Sequence, residues 1–71
     1  MPRFDIYGRF VLAIEREHGR WAAYRLGNGT RRPESTLVLP DELTEVELPA
    51  YLDDIYHEYA VAGRVIRRLQ G

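Results

Sequence analysis

Arg9-Phe-Val-Leu-Ala-Ile-Glu-Arg-Glu-His-Gly-Arg-Trp-Ala-Ala-Tyr-Arg-Leu26 decides the fold. Phe10, Leu12 and Ile14 alternate with Val11, Ala13 and Glu15, the period of two that marks a strand. Beyond His18-Gly19, Ala22, Tyr24 and Leu26 alternate in the same way. Residues 9–16 and 20–26 therefore read as two strands of a hairpin. Two registers compete. A two-residue loop at His18-Gly19 pairs Leu12 with Arg25 and Arg16 with Trp21. A three-residue loop, Glu17-His18-Gly19, pairs Ile14 with Ala22, Leu12 with Tyr24 and Phe10 with Leu26. Only the second gives one continuous apolar face, and it puts Gly19 at the left-handed position of such a loop. The three-residue loop is the expectation, with Val11, Ala13, Glu15, Trp21, Ala23 and Arg25 on the opposite face.

Working outward, Phe4 and Ile6 with Asp5 and Tyr7 extend the first strand, and Gly8 marks a bulge or bend. Residues 27–35, Gly-Asn-Gly-Thr-Arg-Arg-Pro-Glu-Ser, form a loop on turn chemistry. Thr36-Leu37-Val38-Leu39 reads as a short third strand ended by Pro40. Thr44-Glu45-Val46-Glu47 fits a capping box that opens a helix. Pro49 either distorts the opening turn or starts the helix proper. Leu48, Leu52, Ile55, Tyr59 and Ala62 share the core-facing stripe, flanked by Tyr51 and Tyr56. Gly63 suits the position just past the helix end. Arg64-Val65-Ile66-Arg67-Arg68-Leu69 reads as a final short strand. Strand, strand, strand, helix, strand is an α+β domain: a mostly antiparallel sheet with one helix packed on one face.

The chain has 71 residues, which is one small core, and a formal net charge of -1. Without cysteine it has no disulfide framework, thiolate zinc site or cysteine nucleophile. All ten basic residues are Arg, which excludes a P-loop lysine and a Schiff-base lysine. Such a basic complement fits a GC-rich genome. No apolar run approaches a membrane span, and the first residues show no signal-peptide core, so a cytoplasmic setting is the expectation. The near-zero charge is segregated. Residues 1–32 carry +4, residues 33–63 carry -8 and residues 64–71 carry +3. An acidic element packed beside a basic one is the cheaper arrangement, and the alternative is an interaction surface.

Asp53, Asp54, His57 and Glu58 cluster on the polar face of the helix. Asp53 and His57 lie at i, i+4, where two side chains can share a metal or a proton. His57-Glu58 matches the start of a zincin motif, but position 61 is Val, so the second ligand is missing. No metal or cofactor is expected. Gly27-Asn28-Gly29-Thr30-Arg31-Arg32 offers backbone amides and guanidinium groups to an anion, yet matches neither nucleotide-binding pattern. Trp21 with Tyr7, Arg16 and Arg25 has the ingredients of a base-stacking sheet face. A pI near 6.1 argues against a dedicated nucleic-acid binder. Ser35 is the only serine and has no nucleophile-elbow pattern, so no catalytic set is assigned.

Tyr7-Gly8-Arg9-Phe10, Gly19-Arg20-Trp21, Arg31-Arg32-Pro33 and Tyr51-Leu52-Asp53-Asp54 with His57-Glu58 resemble the motifs of a family of short bacterial conserved hypothetical proteins, a domain of unknown function. The resemblance covers nearly the whole chain and implies no activity, substrate or cofactor. The order of three strands and a helix is also similar to the MbtH-like proteins, partners of nonribosomal peptide synthetase adenylation domains. Their Trp-bearing motifs are not matched, since the one Trp here lies in the second strand. The expectation is a non-enzymatic module that binds another protein or itself. Trp21, Arg25, Arg31 and Arg32 are its basic candidates, and Asp53, Asp54, His57 and Glu58 its acidic ones. Acidic helix against basic loop would give a homodimer with two equivalent contacts. A nucleic-acid or phospholigand binder using the Arg-rich sheet and loop is the alternative.

Overall fold

The computed structural model describes residues 2–60 and 63–69. These form strands β1 (Arg3–Ile6), β2 (Phe10–Glu17), β3 (Arg20–Leu26) and β4 (Arg31–Pro33), then helix α1 (Leu48–Tyr56), then β5 (Ile66–Leu69). The five strands make one antiparallel sheet in the order β4-β3-β2-β1-β5. The architecture is the expected α+β one, with the helix connection carrying the chain from one edge of the sheet to the other.

The central hairpin corrects the expected register. His18 and Gly19 both have positive φ, 54° and 79°. They form a two-residue loop that pairs Glu17 with Arg20, Ile14 with Ala23 and Leu12 with Arg25. Two left-handed residues twist the chain in the same sense as the strands, which a three-residue loop does less directly, and His tolerates that region better than most residues. A shift of one residue turns every β3 side chain over. Trp21, Ala23 and Arg25 therefore share the face of Leu12 and Ile14. Ala22, Tyr24 and Leu26 lie on the other face with Val11, Ala13 and Glu15.

Phe4 and Ile6 do not extend β2, and Gly8 is not a bulge within it. Tyr7 and Gly8 have φ of 54° and 72°, and the Arg9 amide donates to the Ile6 carbonyl at 2.9 Å. The chain reverses there, so β1 folds back and pairs Phe4 with Leu12 and Ile6 with Phe10. The third strand also lies elsewhere than expected. Arg31–Pro33, within the expected loop, pairs with β3 as an edge strand, where the missing N–H of Pro33 is tolerated. The Glu34 amide prolongs the contact, donating to the Ala23 carbonyl at 2.8 Å. Residues 36–39 are not a strand. Their Leu37 amide turns back to the Glu34 carbonyl, Leu39 enters the core, and Val38 stands 76% exposed.

Thr44 opens the helical segment as its residues predict. Its backbone amide and its hydroxyl both donate to the Glu47 carboxylate, at 2.8 and 2.9 Å. Those donors hold the Glu47 carboxyl below its usual range. Glu45–Glu47 is a 3-10 turn, and the α-helix proper starts at Leu48 with Pro49 in its first turn. The helix is shorter than the stripe implied. It ends at Tyr56 and passes into a 3-10 turn, His57–Tyr59, so Gly63 does not cap it. Ala62, the last residue of that stripe, lies outside the described residues. Nine helical residues turn Leu48, Leu52 and Tyr56 inward and leave Ile55 39% exposed.

Leu48 and Leu52 bury against Phe4, Ile6, Leu12 and Ile14. Among the described residues, only one face of the sheet is covered in this way. Leu52→Ala is expected to cost about 2–5 kcal/mol. Ile55→Ala should cost less than about 1 kcal/mol, as a side chain outside the core does. Urea denaturation compares the two; equal losses would return Ile55 to the core.

Candidate functional site

α1 faces the segment leading into β5 across a cleft of about 400 Å³, lined by Tyr7, Pro49, Asp53, His57, Arg64 and Ile66. The β1–β2 turn places its first polar group. With Tyr7 in the left-handed region, its side chain is buried in the core and its hydroxyl donates to Asp53 Oδ1. Asp53 and His57 stand one helical turn apart on the same wall. Arg64 comes from the opposite side and lies against Gly8, where a Cβ would collide with its guanidinium. The positive φ is what requires Gly8; the end of the Arg64 side chain could swing aside from a Cβ. Asp53 accepts from an uncharged phenol, and no ion pair joins it to Arg64 or to any other described cation. Among the described residues no three His, Asp or Glu side chains converge as a metal site would require.

The basic candidates are dispersed. Trp21 donates its indole N–H to the Leu43 carbonyl at 2.8 Å, and the Arg16 guanidinium lies 4.0 Å from its ring centroid. Together they pin the loop before the helix. Arg25 stacks on Phe10 at 3.8 Å and pairs with Glu34 at 2.7 Å, which also accepts from the Tyr56 hydroxyl at 3.3 Å. Arg31 is on the opposite, helix-free face, stacked 3.9 Å over Tyr24 and paired with Glu15. Arg32 is exposed on the edge strand, and Asp54 and Glu58 are exposed on the helical segment. Segregated charge is partly matched within the chain: Arg25 meets Glu34 and Arg68 meets Glu45.

On the helix-free face, Tyr24 donates to Glu17 at 2.7 Å. That bond lowers the Glu17 carboxyl and raises the Tyr24 phenol. The register lays Pro33, Tyr24, Ala13, Arg3 and Leu69 in one row, and Arg31, Leu26, Val11, Asp5 and Arg67 in the next. Sequence reasoning found Asp53 and His57 but missed Tyr7 and Arg64, which share their cleft. The available signal is a tyrosine before a glycine at the end of an apolar pair, which the sequence offers as a bulge or bend and the structure makes a full reversal.

Residues 1–70 match the family described as Domain of unknown function (DUF7661), and the chain belongs to that family. No curated protein and no solved structure matches the chain.

Tyr56 gives this side of the molecule a pH signature. Burial, and then the charge of Glu34, pushes its phenol up to about 12. In the unfolded chain it titrates near 10. The native state therefore keeps its proton longer, and stability is full below pH 10 and falls as pH rises toward about 12. The fall should amount to roughly 2–3 kcal/mol for this group. Chemical denaturation across that window should show it, and Tyr56→Phe should make the slope shallower, with Tyr24 contributing the same sign; an unchanged slope would refute the assignment.

Proposed function

We propose that the chain is a non-enzymatic protein-interaction module of a bacterial cytoplasm that associates with a second copy of itself through the helix-free face of its sheet. The observation that carries this reading is the composition and order of that face. Its middle is low and apolar, with Val11, Ala22 and Leu26 half-exposed around a fully buried Ala13, and sheet faces of that kind pack on one another about 10 Å apart. Tyr24 and Arg31 rise beside it and are already held by Glu17 and Glu15, so little side-chain freedom is left to lose on docking. Tyr and Arg are the residue types that anchor interfaces.

Charge favours a copy as the occupant. Asp5, Glu15 and Glu17 stand among Arg3, Arg20, Arg31 and Arg67, so both signs are present and a twofold axis can set them against each other. Five strands spaced at about 4.8 Å and up to eight residues long give a footprint on the order of 500 Å² before side-chain relief is added. A standard interface hides about 800 Å² per partner, about a sixth of the 4966 Å² surface of this chain. The acidic-helix-to-basic-loop pairing is less favoured, because Arg31 is engaged by Glu15 on the face away from the helix. The ion pairing of Arg25 and Arg31 likewise weighs against a phosphate-tracking surface. An all-Arg, cysteine-free composition is what supports the bacterial and cytoplasmic parts of the reading.

Sedimentation at low and high salt tests the association. A concentration-dependent dimer is expected, and Leu26→Glu should shift it to monomer while circular dichroism stays native. A monomer at every concentration and ionic strength overturns the proposal, as does a dimer that Leu26→Glu and Val11→Glu both leave intact.

A further inference from the structure

The cleft beside α1 lies on the other side of the sheet from that interface. Its two walls carry opposite charge: Asp53 on the helix, Arg64 on the approach to β5. Neither is neutralised by the other, since no ion pair connects them and Asp53 has only the Tyr7 hydroxyl as donor among the described residues. Between them the walls are apolar, from Pro49, Ala50, Val65 and Ile66. The volume, about 400 Å³, is in the range of small-molecule sites and ample for about ten heavy atoms.

We propose that this cleft binds a small zwitterion with an apolar body, of the class of a free aliphatic α-amino acid, its carboxylate on the Arg64 guanidinium and its ammonium on Asp53. The charge pattern selects the class. An inorganic anion would gain Arg64 but meet Asp53 across the cleft, and a simple amine would have the converse problem. A ligand carrying both charges at its head satisfies each wall at once. The guanidinium fork can donate to both carboxylate oxygens. Tyr7, donating to Oδ1, orients the Asp53 carboxyl and leaves Oδ2 for the ammonium. His57, one turn further along the wall, adds a second polar contact at the head end. The aliphatic tail is left to Pro49, Val65 and Ile66.

Titration of the whole chain with L-leucine, followed by amide NMR, tests the assignment. Saturable shifts are expected around Tyr7, Asp53, His57 and Arg64, with a Kd on the order of 1 mM for so small and open a site. 4-Methylpentanoate, which keeps only the carboxylate, and isoamylamine, which keeps only the ammonium, should each bind at least about tenfold more weakly, the equivalent of about 1.4 kcal/mol. Arg64→Gln and Asp53→Asn should each weaken leucine by a similar factor while the spectrum stays dispersed. Absence of saturable shifts up to about ten times that Kd overturns the proposal. So does a half-ligand that binds as tightly as leucine, or binding that both substitutions leave unchanged. These readouts do not depend on oligomeric state, so the site and the interface stand or fall separately.

Discussion

The left-handed pair His18-Gly19 sets which side of β3 meets the helix, and most of the structure follows from it. With two residues in the loop, Trp21 lies over the core face and reaches the Leu43 carbonyl. That contact holds the segment from which Thr44 and Glu47 open the helix. In the other register Trp21 would point away from the helix, the loop would lose its donor, and Arg25 could not meet both Phe10 and Glu34. A second left-handed pair, Tyr7-Gly8, acts in the same way one hairpin earlier. It returns β1 alongside β2 and drives the Tyr7 ring inward until its hydroxyl reaches Asp53.

Arginine does in this small domain what larger aliphatic residues do in others. A core of this length cannot cover its own edges, and its rim is closed by guanidinium planes laid on aromatic rings: Arg25 on Phe10, Arg16 on Trp21 and Arg9 on Tyr59. A lysine would bring a point charge that neither stacks nor forks. The absence of Lys, first legible as an exclusion of chemistry, is also a structural property of the rim. Carboxylates of the acidic segment pair with arginines of the sheet, Glu34 with Arg25 and Glu45 with Arg68, so the segregated charge helps to join that segment to the sheet.

Residues with a single local reading were legible in the sequence. The Thr44–Glu47 box, the strand cores of β2 and β3, β5 and the α+β class follow from patterns that tertiary structure had no reason to override. The failures share one cause. Alternation of Ala22, Tyr24 and Leu26 predicts a buried face, but in the structure the arginine stems of Arg16 and Arg25 and the rings they stack on cover the core edge, and Ala22 lies on the open side. Likewise Thr36–Leu39 is apolar enough for a strand, but Arg31–Pro33 holds that edge, and an apolar run can also fill a core from a loop. Asp53 and His57 were visible at i, i+4. Tyr7 and Arg64 were not, because they join the cleft through a chain reversal and a crossover that no spacing encodes.

One layer of helix on one layer of sheet leaves two different surfaces, and the register decides what each can do. The helix side carries uneven relief, with the cleft between α1 and β5 and opposed charges on its walls, which suits a small polar ligand. The sheet side carries alanines, a valine and a leucine between held charges, which suits a broad, flat contact. β1 is shared by both, since Asp5 lies on the open face while Ile6 pairs with Ile66 beside the cleft.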